Sequence, residues 1–254
     1  MTDGPVPAGT CPFTVDRPIM RQRWERLSFL HWGFEPAAVQ RLLPDGLTAE
    51  TWDGAAWVGL VPFFMRVASP GGRRVPWASN FCETNVRTYV RDESGRSGIW
   101  FFSLDAARLG AVLAARGGPY RLPYFWSAMR LGQRGNELAY LTRRCWPMVG
   151  WPMVGWPRSA PVTSRVRVRV GDPIPAGQVT GFEHYLTARW RLFSVTQGRR
   201  TSARAGHDRW PLHRATATVA DDQLLTAAGL PVPAGAPLVH WSPGVDVAIG
   251  RPEK

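Results

Sequence analysis

The chain has 254 residues, 44% hydrophobic and 20% charged, with 26 glycines, 23 prolines and 13 tryptophans. That length buries a sizeable core without disulfide staples, and the Gly and Pro load argues against an all-helical bundle or a fibrous chain. The formal charge of +12 comes from 31 basic against 19 acidic residues, yet Lys254 is the one lysine, so Schiff-base, P-loop and lysine-base chemistry are excluded from the body of the chain.

Residues 1–18 are rich in Pro and Gly and read as an extended N-terminal segment; residues 19–254 show no composition break and read as a single domain. Arg21 to Trp32 alternates as a first strand. Pro36 opens a short helix through Leu43, which Pro44-Asp45-Gly46 stops. Strands follow at Leu47 to Trp52 and Ala56 to Phe64 around the hairpin signal Asp53-Gly54, and a connection through Gly71, Gly72 and Pro76 comes next. Phe81 to Val90 and Ser97 to Leu104 form a second hairpin, whose Ile99-Trp100-Phe101-Phe102 arm is apolar on both faces and therefore expected to be central and buried. Asp105 is expected to cap a helix from Ala106 to Arg116 with Leu109, Val112 and Leu113 inward. Trp146 to Gly155 repeats WPMVG twice, and its prolines forbid helix and ladder alike, so it reads as an extended loop. Arg165 to Val170 alternates Arg with Val, as an outer strand with a solvated charged face or as a row along phosphates. Thr180 to Glu183 fits a capping box. Strands at Arg189 to Thr196, Arg214 to Ala220 and Leu238 to Trp241, with a helix from Asp222 to Ala228, end the series. The sum is an α+β protein, mainly antiparallel β with a few short packed helices.

Cys11, Cys82 and Cys145 are odd in number and widely spaced, which does not indicate a disulfide framework. There is no basic-then-apolar leader and no run of ~18 apolar residues, so a cytoplasmic protein without a membrane span is expected. No G-x-S-x-G or G-x-G-x-x-G occurs. His207, Asp208 and His213 lack a zinc spacing, so no metal and no cofactor are expected.

The segment with chemical content is Phe81 to Val90. Period two puts Glu83, Asn85, Arg87 and Tyr89 on one face and Thr84, Val86, Thr88 and Val90 on the other. The polar row is either a solvated face with a weak ion pair or, beside the all-apolar Trp100 to Phe102 arm, the lining of an enclosed space. Enclosed, Arg87 is a fork for a carboxylate and Glu83 a carboxyl with a movable pKa. His31 is a weaker candidate for proton exchange.

Several ordered blocks resemble those of the uncharacterised YqjF-like family: Phe29 to Trp32, Leu43 to Leu47, Trp57 to Phe63, Glu83 with Asn85 to Val90, and Trp100 to Ala106. Later blocks are His207 with Trp210 to Leu212, Ala228 to Pro231 and Ser242 to Val247, so the resemblance runs from about residue 20 to 248. It implies the acetoacetate decarboxylase-like superfamily, hence a closed, cone-like antiparallel β-barrel with a central cavity. By motif position Glu83 resembles a cavity glutamate of that enzyme, and Arg116 to Tyr124 looks like its arginine-to-lysine segment. Leu122 to Phe125 carries no lysine, so imine decarboxylation does not transfer.

The expected ligand is a small carboxylate or oxo acid, anchored by Arg87 with Arg116 and lined by Asn85, Tyr89 and Trp100. Glu83 would exchange a proton in general acid/base chemistry of lyase or isomerase type. A non-catalytic sensor or carrier of an apolar metabolite, lined by Trp32, Trp100 and Trp126, is the alternative. A nucleic-acid binder is the lesser one, and homo-oligomer formation is left open.

Overall fold

The structure is a computed structural model and describes residues 10–68, 79–146, 162–196 and 198–253. The polypeptide is mostly strand. The strands are β1 (Met20–Phe34), β2 (Leu47–Ala49), β3 (Thr51–Trp52), β4 (Ala55–Ala68), β5 (Phe81–Asp92), β6 (Ser97–Ala106), β7 (Tyr124–Arg134), β8 (Glu137–Trp146), β9 (Thr163–Pro173), β10 (Arg191–Thr196), β11 (Arg199–His207), β12 (His213–Asp222) and β13 (Leu238–Glu253). Among the described residues four short α-helices intervene: α1 (Pro36–Gln40), α2 (Leu109–Gly117), α3 (Gly181–Thr187) and α4 (Leu224–Ala227). Among the described residues no helix is long and apolar enough to cross a membrane.

The sheet is built around β13-β1-β4-β5-β6, and both outer strands of that unit fork. On β6, Ile99 and Trp100 pair with β10, while Leu104 to Ala106 pair with β7. On β13, His240 and Trp241 pair with β12, while Val247 to Glu253 pair with β11. Strand pairing therefore closes two circuits, one through β10-β11 and one through β7-β8-β9-β12. The circuits lie on opposite faces of the shared unit. Phe29, Val61, Phe63 and Leu104 pack with Leu192, Ala203 and Val247 on the first side. Leu30, Leu60 and Val86 pack with Leu138, Val166 and Leu225 on the second. Each fully buried Leu or Phe contributes about 1.5–3 kcal/mol. This double cover explains why both faces of β5 are buried from Glu83 through Val90.

Pro62 sits inside β4 without breaking it because the β1–β4 ladder is already interrupted there, between the Glu25–Phe64 and Leu30–Leu60 pairs. The capping box of α3 forms as expected: Thr180 accepts from the Glu183 amide, and the Glu183 carboxylate accepts from the Thr180 amide. β9 is an outer wall, with Val166 and Val168 buried in the second circuit and Arg165, Arg167 and Arg169 exposed.

The expected cap at Asp105 is overturned. Asp105 is a buried strand residue whose carboxylate accepts from Ser127 at 2.6 Å and from Arg144 at 2.9 and 2.7 Å. The helix starts later, at Leu109, and buries Val112, with Ala111 and Ala115 packed beside it, leaving Leu109 and Leu113 41% and 52% exposed. β7, β8 and β11 are strands not expected, and β13 runs twelve residues past Trp241. The connection through Gly71, Gly72 and Pro76 and nearly all of the WPMVG repeat lie outside the described residues.

Candidate functional site

Glu83, Asn85, Arg87 and Tyr89 project from β5 into the first circuit, where Glu83 is 2% and Arg87 3% exposed. Across the strands, His31 of β1 pairs with Gly59 of β4, and Gly59 pairs with Arg87. β13 places His240 opposite Phe29, on the same face. The polar row is thus enclosed by its neighbours rather than solvated.

At one end of the row Glu83 Oε2 accepts the Tyr124 hydroxyl at 3.0 Å, and the Asn85 amide also bonds the carboxyl. Burial pushes the Glu83 pKa up to about 8; the Tyr124 and Asn85 bonds oppose that push and nearby Asp105 adds to it. At pH 7 Glu83 is therefore mainly a neutral acid. Arg116 is exposed and outside this row; its Nη1 donates to the Tyr124 carbonyl at 2.6 Å, on the residue that holds Glu83.

At the other end Arg87 bonds Tyr89, and its guanidinium lies 5.3 Å above the Phe29 ring. Its Nε and Nη2 have no partner among the described residues, and burial pulls its pKa down. The Tyr89 hydroxyl donates to the Leu186 carbonyl and lies 2.6 Å from His31 Nε2. Since a carbonyl only accepts, the single hydroxyl proton is committed there. His31 Nε2 must therefore be the protonated nitrogen, which leaves Nδ1 a bare lone pair. Burial and then Arg87 hold His31 well below the usual histidine range. Arg189 differs from Arg87 in having a carboxylate: its Nη2 donates to Glu50 at 2.8 Å while its guanidinium stacks over Tyr89 and Tyr185. Beyond Phe29 stand Trp210 and His207, which also line a pocket of about 190 Å³ with Trp190 and Leu212.

Trp100 does not join the row; it pairs with Thr88 and packs with Leu47, Val90 and Phe193 on the other side of the sheet. Trp32 lies in the second circuit, and Trp126 is 36% exposed. Tyr124, Arg189, Glu50 and His240 stand in or beside this row, and strand alternation did not reveal them. Both ring nitrogens of His207 face backbone carbonyls, those of Asp208 and Arg189, and His213 bonds the Gly171 carbonyl.

A family model described as "Uncharacterized conserved protein", DUF2071, matches residues 21–246. The chain belongs to this family. "Uncharacterized protein YqjF" of Bacillus subtilis is 31% identical over 230 residues, covering 90% of this chain and 89% of that protein. Among solved structures, acetoacetate decarboxylase from Legionella pneumophila superposes with a TM-score of 0.58 at 13% identity, over 96% of this chain and 92% of its own. The enduracididine biosynthesis enzyme MppR, solved in complex with pyruvate, gives 0.58 at 13% over 96% and 91%. These likenesses show an acetoacetate decarboxylase-like fold. Within it the DUF2071 chain carries on one buried row an acid, an amide and a guanidinium with no carboxylate partner among the described residues, and no lysine in Leu122 to Phe125.

Proposed function

We propose that the first strand circuit is the cone-like cavity of this fold and that it receives a small carboxylate, oxo acids included, on Arg87. The observation that carries the reading is a fully buried guanidinium with two nitrogens that have no partner, and no carboxylate of its own, among the described residues. Such a group is costly to bury alone, and a planar fork of donors fits a carboxylate. Glu83 lies four residues along the same strand, about 13 Å between Cα atoms at strand rise. A neutral carboxyl there supplies a proton to a ligand oxygen or carbon, and the resulting carboxylate takes one back, which is the general acid/base chemistry of tautomerisation, hydration or lyase action.

The aromatic interior of Phe29, Phe63 and Trp210 favours a second reading, a non-catalytic carrier or sensor. It shares Arg87 and differs in tolerating Glu83→Gln. We place the protein in the cytoplasm, in keeping with three cysteines that are free thiols.

The test is ligand-induced melting shift over a panel of short carboxylic acids for wild type, Glu83→Gln and Arg87→Met. The reading expects a shift in wild type that Arg87→Met abolishes. Equal shifts in all three proteins would remove Arg87 and Glu83 from any site.

A further inference from the structure

Among the described residues, the inner face of the first circuit holds buried side-chain atoms without a hydrogen-bond partner of two kinds. Arg87 Nε and Nη2 are donors; Asn85 Oδ1 and His31 Nδ1 are acceptors. His240 Nδ1, on the neighbouring strand of the same face, is a third acceptor, because His240 Nε2 faces the Glu183 carboxylate at 3.3 Å. The acceptor beside Arg87 on its own strand is Asn85, two residues away and about 7 Å between Cα atoms. The Asn85 amide is turned by its bond to Glu83, which leaves the oxygen as its free end. A ligand that met only the guanidinium would leave that oxygen buried and unpaired.

Charge narrows the ligand further. Glu50 pairs with Arg189 on one oxygen and with Arg91 on the other, at 2.8 and 2.9 Å, Arg87 has no carboxylate partner among the described residues, and Glu83 is neutral at pH 7. A single ligand carboxylate supplies the negative charge that Arg87 lacks. A zwitterion, its carboxylate taken by Arg87, would bury an ammonium with no carboxylate to pair it, and a neutral hydroxyl avoids that.

We propose that the site takes a hydroxy monocarboxylic acid, its carboxylate on Arg87 and its hydroxyl donating to Asn85 Oδ1, in preference to the matching oxo acid. The inference rests on the reading that Arg87 receives a carboxylate. An oxo oxygen only accepts, so it cannot satisfy Asn85 Oδ1, and leaving a buried acceptor unmet is what a site built this way discriminates against.

The experiment is calorimetric titration at pH 7 with two matched sets, lactate, pyruvate and alanine, and 3-hydroxybutyrate, acetoacetate and 3-aminobutyrate. It is run on wild type, Asn85→Leu, Asn85→Ser and Arg87→Met. In at least one set the hydroxy acid is expected to bind wild type about tenfold or more tighter than its oxo partner, as one well-placed buried hydrogen bond allows. That ratio is expected to fall toward one in Asn85→Leu. Oxo or amino acids that bind wild type as tightly as their hydroxy partners in both sets overturn the inference, as does a ratio that survives in Asn85→Leu. These outcomes leave the carboxylate reading standing. Binding unchanged by Arg87→Met, or no binding of any acid, overturns both. The wild-type comparison decides even where a variant fails to fold.

Discussion

His31 reaches Tyr89 across the backbone of Gly59. The imidazole Nε2 and the phenol oxygen are 2.6 Å apart, and Gly59 lies between His31 and Arg87 in the strand register. A Cβ at Gly59 would stand 2.9 Å from His31 Nε2 and 3.0 Å from Cδ2, so the glycine is required for space.

Gly59→Ala is accordingly expected to displace the ring and cost about 1–3 kcal/mol, the usual range for overpacking a well-filled interior. Chemical denaturation measures it. In a His31→Ala background the same substitution should cost much less, because the ring it strikes is gone. Equal cost in both backgrounds would show that His31 is not what Gly59 accommodates.

The pH dependence of stability should carry the signature of Glu83. Its carboxyl binds a proton in the folded state up to about pH 8 but in the unfolded chain only to about 4.5. Between those values the folded state holds more protons, so this group makes stability fall as pH rises, and the loss is complete above about 8. Glu83→Gln should therefore match wild type below about pH 4.5 and become progressively more stable relative to it up to about pH 8, by a few kcal/mol. The buried histidines act on the acid side. His31, His207 and His240 are all pulled below 6.5, so stability falls as pH drops beneath that value, in both proteins. A difference curve that is flat from pH 4 to 9 would show that Glu83 titrates as it does in the unfolded chain.

Asp105 ties β6 to β7 through Ser127 and to β8 through Arg144, with both partners on the carboxylate. Asp105→Ala strands the Arg144 guanidinium, which is 10% exposed, and is expected to cost about 3–5 kcal/mol, as removal of one partner of a buried pair does. A loss below about 1 kcal/mol would place the pair among weak surface bridges.

Outward from the second circuit, Arg165 and Arg167 have no ion pair among the described residues, whereas Arg169 bonds exposed Glu137. Arg165→Thr with Arg167→Thr should shift stability by no more than about 0.5 kcal/mol. Oligonucleotide affinity that falls steeply with salt and drops in this variant would revive the polyanion partner.

What was legible in the sequence is what depends on near neighbours. The row Glu83, Asn85, Arg87 and Tyr89 follows from strand alternation, and the Thr180–Glu183 box closes within three residues. Trp100 leaves the row because a bulge between Val86 and Arg87 in the β5–β6 register shifts which side each residue of the apolar arm faces. Asp105 looked like a cap because its true partner, Arg144, is 39 positions away. Glu50 and Arg189 are 139 apart, and no local pattern announces such a pair. The closure of two circuits on one shared sheet is likewise a property of the forks at β6 and β13, invisible in either strand alone.

The central claim is that Arg87 is kept for a ligand and not for the fold, and Arg87→Met tests it with two readings on one protein. The unliganded variant should be as stable as wild type or more so, by up to ~4 kcal/mol, since a buried unpaired guanidinium gives way to an apolar chain of similar length. At the same time the melting shift produced by short carboxylic acids should vanish. A variant that is several kcal/mol less stable yet still shifts with the same acids would contradict the account.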